Sequence, residues 1–122
     1  MTKVMLVEDD RIMMGLLRTL FEIEGFEVIS LGAGEDILES IRRNKPDIIL
    51  LDVHLKDGHG KEISGFDLLG QIRQDPELKG AKILMSSGID FRDKSAQEGA
   101  DGFILKPYMP NDLINLIKQT IA

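Results

Sequence analysis

The chain has 122 residues, 43% hydrophobic and 30% charged, with a formal net charge of −6 and no cysteine. That profile fits one folded domain over residues 1–122 with a real core, and it excludes disulfides, thiolate catalysis and Cys-based zinc sites. The acidic balance argues against direct nucleic-acid binding, and with no bilayer-length apolar run and no signal-peptide pattern a cytoplasmic protein without membrane contact is expected.

Lys3-Val4-Met5-Leu6-Val7 reads as a first buried strand and stops at Glu8-Asp9-Asp10. From Ile12 the apolar spacing turns helical, with Ile12, Leu16 and Leu20 on one stripe and Met13, Leu17 and Phe21 beside it. Asp9 or Asp10 can cap that helix and Gly25 closes it. Phe26 to Leu31 reads as a second strand. Gly32 and Gly34 then turn the chain into a helix carrying Ile37, Leu38 and Ile41, which ends before Pro46. Ile48-Ile49-Leu50-Leu51 is a third strand, apolar enough to be buried on both faces, and it ends on Asp52. A polar, glycine-rich loop is expected from Lys56 to Ser64. Phe66, Leu69 and Ile72 then place a helix from Gly65 to Gln74, terminated by Asp75-Pro76. Lys82 to Ser86 is a fourth strand, running into Ser87-Gly88. Phe91 to Glu98 reads as a weak helix stopped by Gly99, and Gly102 to Leu105 as a fifth strand ending at Lys106-Pro107. Leu113, Ile117 and Ile121 stripe a last helix. Five strands alternating with five helices imply an α/β fold with a doubly wound parallel sheet covered on both faces.

Chemistry collects at the strand ends. Glu8-Asp9, Asp52, Ser87 and Lys106 follow strands one, three, four and five, and a parallel sheet brings such residues to one edge. Asp52 alone could be a turn-former or a helix cap, and the whole set could be a structural ion-pair cluster. Four separate strand ends with matching chemistry favour a site. Three packed carboxylates repel and need a cation or protons, and oxygen ligands without cysteine point to Mg²⁺, Mn²⁺ or Ca²⁺. Lys106 supplies positive charge for an anion and Ser87 a hydroxyl donor. Together they describe a site for a divalent metal and a phosphoryl group, with Asp52 as a carboxylate nucleophile.

Val7-Glu8-Asp9, Leu51-Asp52, Ser87-Gly88 and Lys106-Pro107, in this order, resemble the receiver domain of bacterial two-component response regulators. The resemblance covers essentially the whole chain and implies a flavodoxin-like five-stranded sheet of order 2-1-3-4-5. It further implies that Asp52 accepts a phosphoryl group from the phosphohistidine of a sensor histidine kinase or a histidine phosphotransfer protein. Glu8, Asp9 and Asp52 would hold Mg²⁺ with the backbone carbonyl of His54, and Ser87 and Lys106 would bind phosphoryl oxygens. The Lys106-Pro107 bond is expected to be cis. Ser87 and Phe103 match the family's switch pair, and a downstream effector would read the phosphorylated surface.

The chain departs from that pattern in several places. Lys56 stands where a proline is common. Asp57-Gly58-His59-Gly60 fits the usual loop, and Gly65-Phe66-Asp67-Leu68-Leu69 the usual helix start. Two glycines, Gly60 and Gly65, stand where the family shares one, which reads as an insertion beside the site. Gly102 and Leu116 replace an Asp and an Arg of a common dimer network, so a monomer or weak dimer is expected. His54 and Ile89 border the approach of a hydrolytic water and neither is a carboxamide or carboxylate, so self-dephosphorylation is expected to be slow. Three alternatives compete. A haloacid-dehalogenase-type phosphatase needs a second Asp where His54 stands. A nucleotide- or flavin-binding domain needs a loop that Glu8-Asp9-Asp10 would make repulsive. A phosphorylation-independent docking receiver usually lacks the acceptor, an acidic ligand or the lysine, and all are present here.

Overall fold

The computed structural model describes residues 1–31, 36–56 and 59–122. The expected turn at Gly32 and Gly34, and the Asp57-Gly58 half of the loop motif, lie outside the described residues. In chain order the elements are β1 (Lys3–Val7), α1 (Arg11–Ile23), β2 (Glu27–Leu31), α2 (Ile37–Asn44), β3 (Ile48–Asp52), β4 (His54–Lys56), β5 (Glu62–Ser64), α3 (Gly65–Gln74), β6 (Lys82–Ser87), α4 (Arg92–Gln97), β7 (Gly102–Leu105) and α5 (Pro110–Ile121). Five strands form one parallel sheet in the order β2-β1-β3-β6-β7, which is the flavodoxin-like order 2-1-3-4-5.

Strand periodicity divides the core. Val4, Leu6, Ile48, Leu50 and Leu84 join Leu17, Phe21, Leu113 and Ile117 on the α1/α5 face. Their neighbours Met5, Val7, Ile49, Leu51, Ile83 and Met85 join Ile41, Leu69 and Ile72 on the other. Successive strand residues point to opposite faces, so both faces of β1 and β3 must be apolar, and they are.

On α1 the two adjacent stripes of the sequence are not equivalent. Leu17 and Phe21 are buried, while Ile12 is 87% and Leu16 52% exposed. Helical spacing cannot rank neighbouring stripes, whereas packing does: the Phe21 ring meets Phe26 edge-on at 5.8 Å, locking that side inward. Asp10 caps the helix by accepting from the Met13 N–H at 3.0 Å.

The expected loop from Lys56 to Ser64 is bracketed by an antiparallel ribbon, in which His54 pairs with Ser64, Leu55 with Ile63 and Lys56 with Glu62. Strands of three residues leave no readable alternation in the sequence. Leu55 holds the ribbon down, fully buried in the α2/α3-side core, and Ile63 packs against the same cluster. Ser64 then caps α3, accepting from Phe66 and Asp67. The base of the ribbon is pinched: Gly65 N–H donates to the Val53 carbonyl at 2.7 Å, and a side chain at Gly65 would collide with the Asp52 carbonyl. Only glycine allows that approach.

Truncating Phe21 to Ala should destabilise the fold by about 3–5 kcal/mol, whereas Ile12→Ala should stay within about 0.5 kcal/mol of wild type. Urea denaturation of both variants checks which stripe carries the core.

Candidate functional site

The strands end level with one another. Val7 of β1 sits beside Leu51 of β3, Asp52 beside Ser86 of β6, and Ser87 beside Leu105 of β7. The residues that follow therefore meet at one edge. Lys106 leaves β7 through a cis bond to Pro107, and its N–H donates to the Ser87 carbonyl at 2.8 Å.

The centre of the site is a shared cation. Lys106 Nζ donates to Glu8 Oε2 at 2.7 Å and to Asp52 Oδ2 at 3.0 Å. Both carboxylates are buried. Glu8 Oε1 also accepts from the N–H groups of Asp9 and Asp10, at 3.1 and 3.3 Å, so the turn after β1 fixes the glutamate. Burial pushes the Asp52 carboxyl up to about 6, Glu8 adds to the rise, and the Lys106 ammonium opposes it. Burial by itself lowers the Lys106 pKa. Its hydrogen bonds to Glu8 and Asp52 outweigh that and hold its pKa above the ordinary lysine value.

The remaining residues are arranged around this centre. Asp9, exposed, turns its Oδ2 to the N–H of Lys56 at 2.7 Å. Asp52 Oδ1 accepts from the N–H of His54 at 3.4 Å. The buried Ser87 hydroxyl accepts from the Ile89 N–H at 3.1 Å. Phe103 is half-buried against the α2/α3-side core. The His54 side chain is exposed, with its ring 6.2 Å from Phe91, whose ring in turn meets Phe66 edge-on at 5.5 Å. The structure thus draws Glu8, Asp52 and Lys106 into direct contact. It ties Asp9 to the ribbon through the Lys56 N–H and engages the Ser87 hydroxyl with the Ile89 N–H.

Among the described residues, no three Asp, Glu or His side chains converge as a closed metal site. The donor chemistry nonetheless suits a hard divalent cation: Glu8, Asp9, Asp52 and the His54 carbonyl offer oxygen only. Two contributors were missed in the sequence. One is the Lys56 N–H, whose only sequence signal is that position 56 is not proline. The other is Tyr108, whose hydroxyl is buried with no hydrogen-bond partner among the described residues and is pushed up to about 12 by burial.

A doubly wound sheet with this acidic pair, strand-end aspartate, hydroxyl and lysine defines the receiver class of flavodoxin-like α/β proteins. The chain matches the family model of the response regulator receiver domain over residues 4–118, and it belongs to that family. It is 32% identical to the polar-differentiation response regulator DivK of Brucella ovis, over all of this chain and 98% of the relative. Among solved structures it is similar to a CheY-like receiver domain protein from Methanospirillum hungatei, with a TM-score of 0.83, 30% identity, and 99% and 94% of the two chains covered. It is also similar to the BeF3-activated receiver domain of Klebsiella pneumoniae RstA, with a TM-score of 0.84, 25% identity and 98% of each chain covered. No helix among the described residues is long and apolar enough to cross a membrane.

The raised Asp52 value has a sign. The ordinary value is 3.8 and the folded one about 6, so between them the folded chain binds more protons than the unfolded one. Stability then falls as pH rises through that window and stays reduced above it. Asp52→Asn should therefore raise the melting temperature of the metal-free protein by a few degrees at neutral pH, and the gain should vanish by about pH 4. Thermal melts of both proteins across pH check it.

Proposed function

We propose that the whole chain acts as one receiver domain that takes a phosphoryl group on Asp52 from the phosphohistidine of a sensor histidine kinase or histidine phosphotransfer protein, in a Mg²⁺-dependent reaction. The observation that carries this reading is the Lys106 ammonium bonded at once to Asp52 and Glu8. An Asp52 oxygen attacks phosphorus, the P–N bond to the donor imidazole breaks as the P–O bond forms, and the leaving imidazole takes up a proton. Glu8, Asp9, Asp52 and the His54 carbonyl would hold Mg²⁺, which when bound supplies charge neutralisation for the carboxylates and the transferred group. Lys106 exchanges an Asp52 oxygen for a phosphoryl oxygen. The His54 N–H, already aimed at Asp52, stabilises a second, and Ser87 gives up Ile89 to donate to a third.

Output follows from the same residues. Movement of the Ser87 hydroxyl makes room for Phe103 to turn inward. α4 is well placed to yield, because it is six residues long and starts at Phe91 with no side-chain capping bond. A downstream effector reads that surface. The exposed Ile12 and Leu16, on the helix that begins beside Asp9, suit the docking of the phosphodonor protein. The reading carries with it a cytoplasmic location, where ATP-fed kinases work.

Acetyl phosphate with Mg²⁺ should add one phosphoryl group, read by intact mass. The adduct should be absent in Asp52→Asn and formed about 10²-fold more slowly in Lys106→Ala. An adduct on the Asn variant would place the acceptor elsewhere. Followed over time, the wild-type adduct should decay slowly and His54→Asn should speed its loss; unchanged decay removes the role given to His54.

The chain should also remain a monomer or weak dimer on activation. Neither Gly102 nor Leu116 carries charge, and the two lie near one another, since a Cβ built at Gly102 would stand 3.9 Å from Leu116 Cδ1. Light scattering with a beryllofluoride mimic checks it, and a tight, salt-sensitive dimer through α4, β7 and α5 contradicts it.

A further inference from the structure

N–H groups two residues apart in an extended strand leave from the same edge. In β4 the middle residue, Leu55, is turned into the core and paired with Ile63 of β5. The N–H groups of His54 and Lys56 share the edge that faces the strand ends. They reach Asp52 Oδ1 at 3.4 Å and Asp9 Oδ2 at 2.7 Å. The second contact is short and charge-assisted, and it runs from β4 back to the turn after β1.

Asp9 is exposed, and an exposed aspartate left to itself samples several rotamers. Holding one oxygen fixes the plane of the carboxylate and so the direction of the other oxygen. We infer that Lys56, through its backbone N–H, is the positioning residue for the Mg²⁺ acid Asp9, and that the β4–β5 ribbon is the element that keeps it in place. The ribbon then serves the cation twice, with the His54 carbonyl as a ligand and the Lys56 N–H as the group that orients another. The Lys56 side chain has no part in this, because the donor is the main chain. A proline at position 56 has no N–H to give.

Metal-ligating carboxylates are themselves hydrogen-bonded, and loss of such an outer partner costs about 10–100-fold in metal affinity. The inference rests on Asp9 being a metal acid, as proposed above. Mg²⁺ binding to the full chain is measured by calorimetry for wild type, Lys56→Ala and Lys56→Pro. The alanine variant, which keeps the N–H, should bind as wild type does. The proline variant should bind about 10–100-fold more weakly, yet take up the phosphoryl group on Asp52 once Mg²⁺ is raised to saturation. Because proline can disturb the ribbon, amide exchange in the unsubstituted protein gives a second reading. The Lys56 N–H should be protected without Mg²⁺, stay protected at saturation, and lose protection in Asp9→Ala. A proline variant with wild-type affinity overturns the inference. So does Mg²⁺ stripping protection from the Lys56 N–H, since the hydrogen bond would then compete with the cation. If wild type binds Mg²⁺ and is phosphorylated but proline changes nothing, only this inference fails. If wild type does neither, the phosphoacceptor reading fails with it.

Discussion

One ammonium shared by two buried carboxylates is the interaction on which the site depends. Glu8 and Asp52 leave adjacent strands, β1 and β3, and Lys106 reaches both from the far side of β6. Such a group is costly to bury and is retained only when every partner is placed by the scaffold. The parallel register does the placing: Val7, Leu51, Met85 and Phe103 stand in neighbouring pairs across four strands, so the chain ends its strands at one height. The charge sum is left uneven, two acids to one base. That imbalance suits a further positive charge beside the two carboxylates.

The helices divide the remaining work. α1 contributes Leu17 and Phe21 inward and leaves Ile12 and Leu16 facing outward, so one helix serves the core and exposes an apolar face. α3 is anchored by its Ser64 cap and by Leu69 and Ile72, all in register with the ribbon beneath it. α4 has neither a side-chain N-cap bond nor an apolar stripe, and its buried residue is Ser95, with a hydroxyl that finds no partner among the described residues. Free energy for rearrangement is cheapest where packing and capping are weakest. That weakness follows the short segment that leaves β6 after Ser87.

The sheet and helix order were legible because each sheet strand is built on a short, mainly apolar run and each main helix carries its own spacing. Asp52, Ser87 and Lys106 were legible for a related reason: a polar residue directly after such a run has one place to go in a parallel sheet. The inward stripe of α1 was not legible, since Ile12 and Leu17 are equally apolar and tertiary packing, including the meeting of Phe21 with Phe26, separates them. The ribbon was not legible either. Its strands are too short for alternation to register, and Leu55 looks like any isolated apolar residue in a polar loop until the Val53 and Leu69 neighbourhood is built around it. Main-chain contacts such as Lys56 to Asp9 carry no side-chain signature.

The pinch at Gly65 sets how the chain tolerates change. Because the ribbon enters at Val53 and leaves at Gly65 through one main-chain bond, its two ends stay a fixed distance apart whatever lies between them. Loop closure grows only slowly with length, by about 0.6 kcal/mol per doubling. Added length between the two strands of the ribbon therefore costs the fold little while the pinch is kept. A side chain at its glycine hinge does not fit, so the rim of the site can lengthen over a floor that cannot change at that one position.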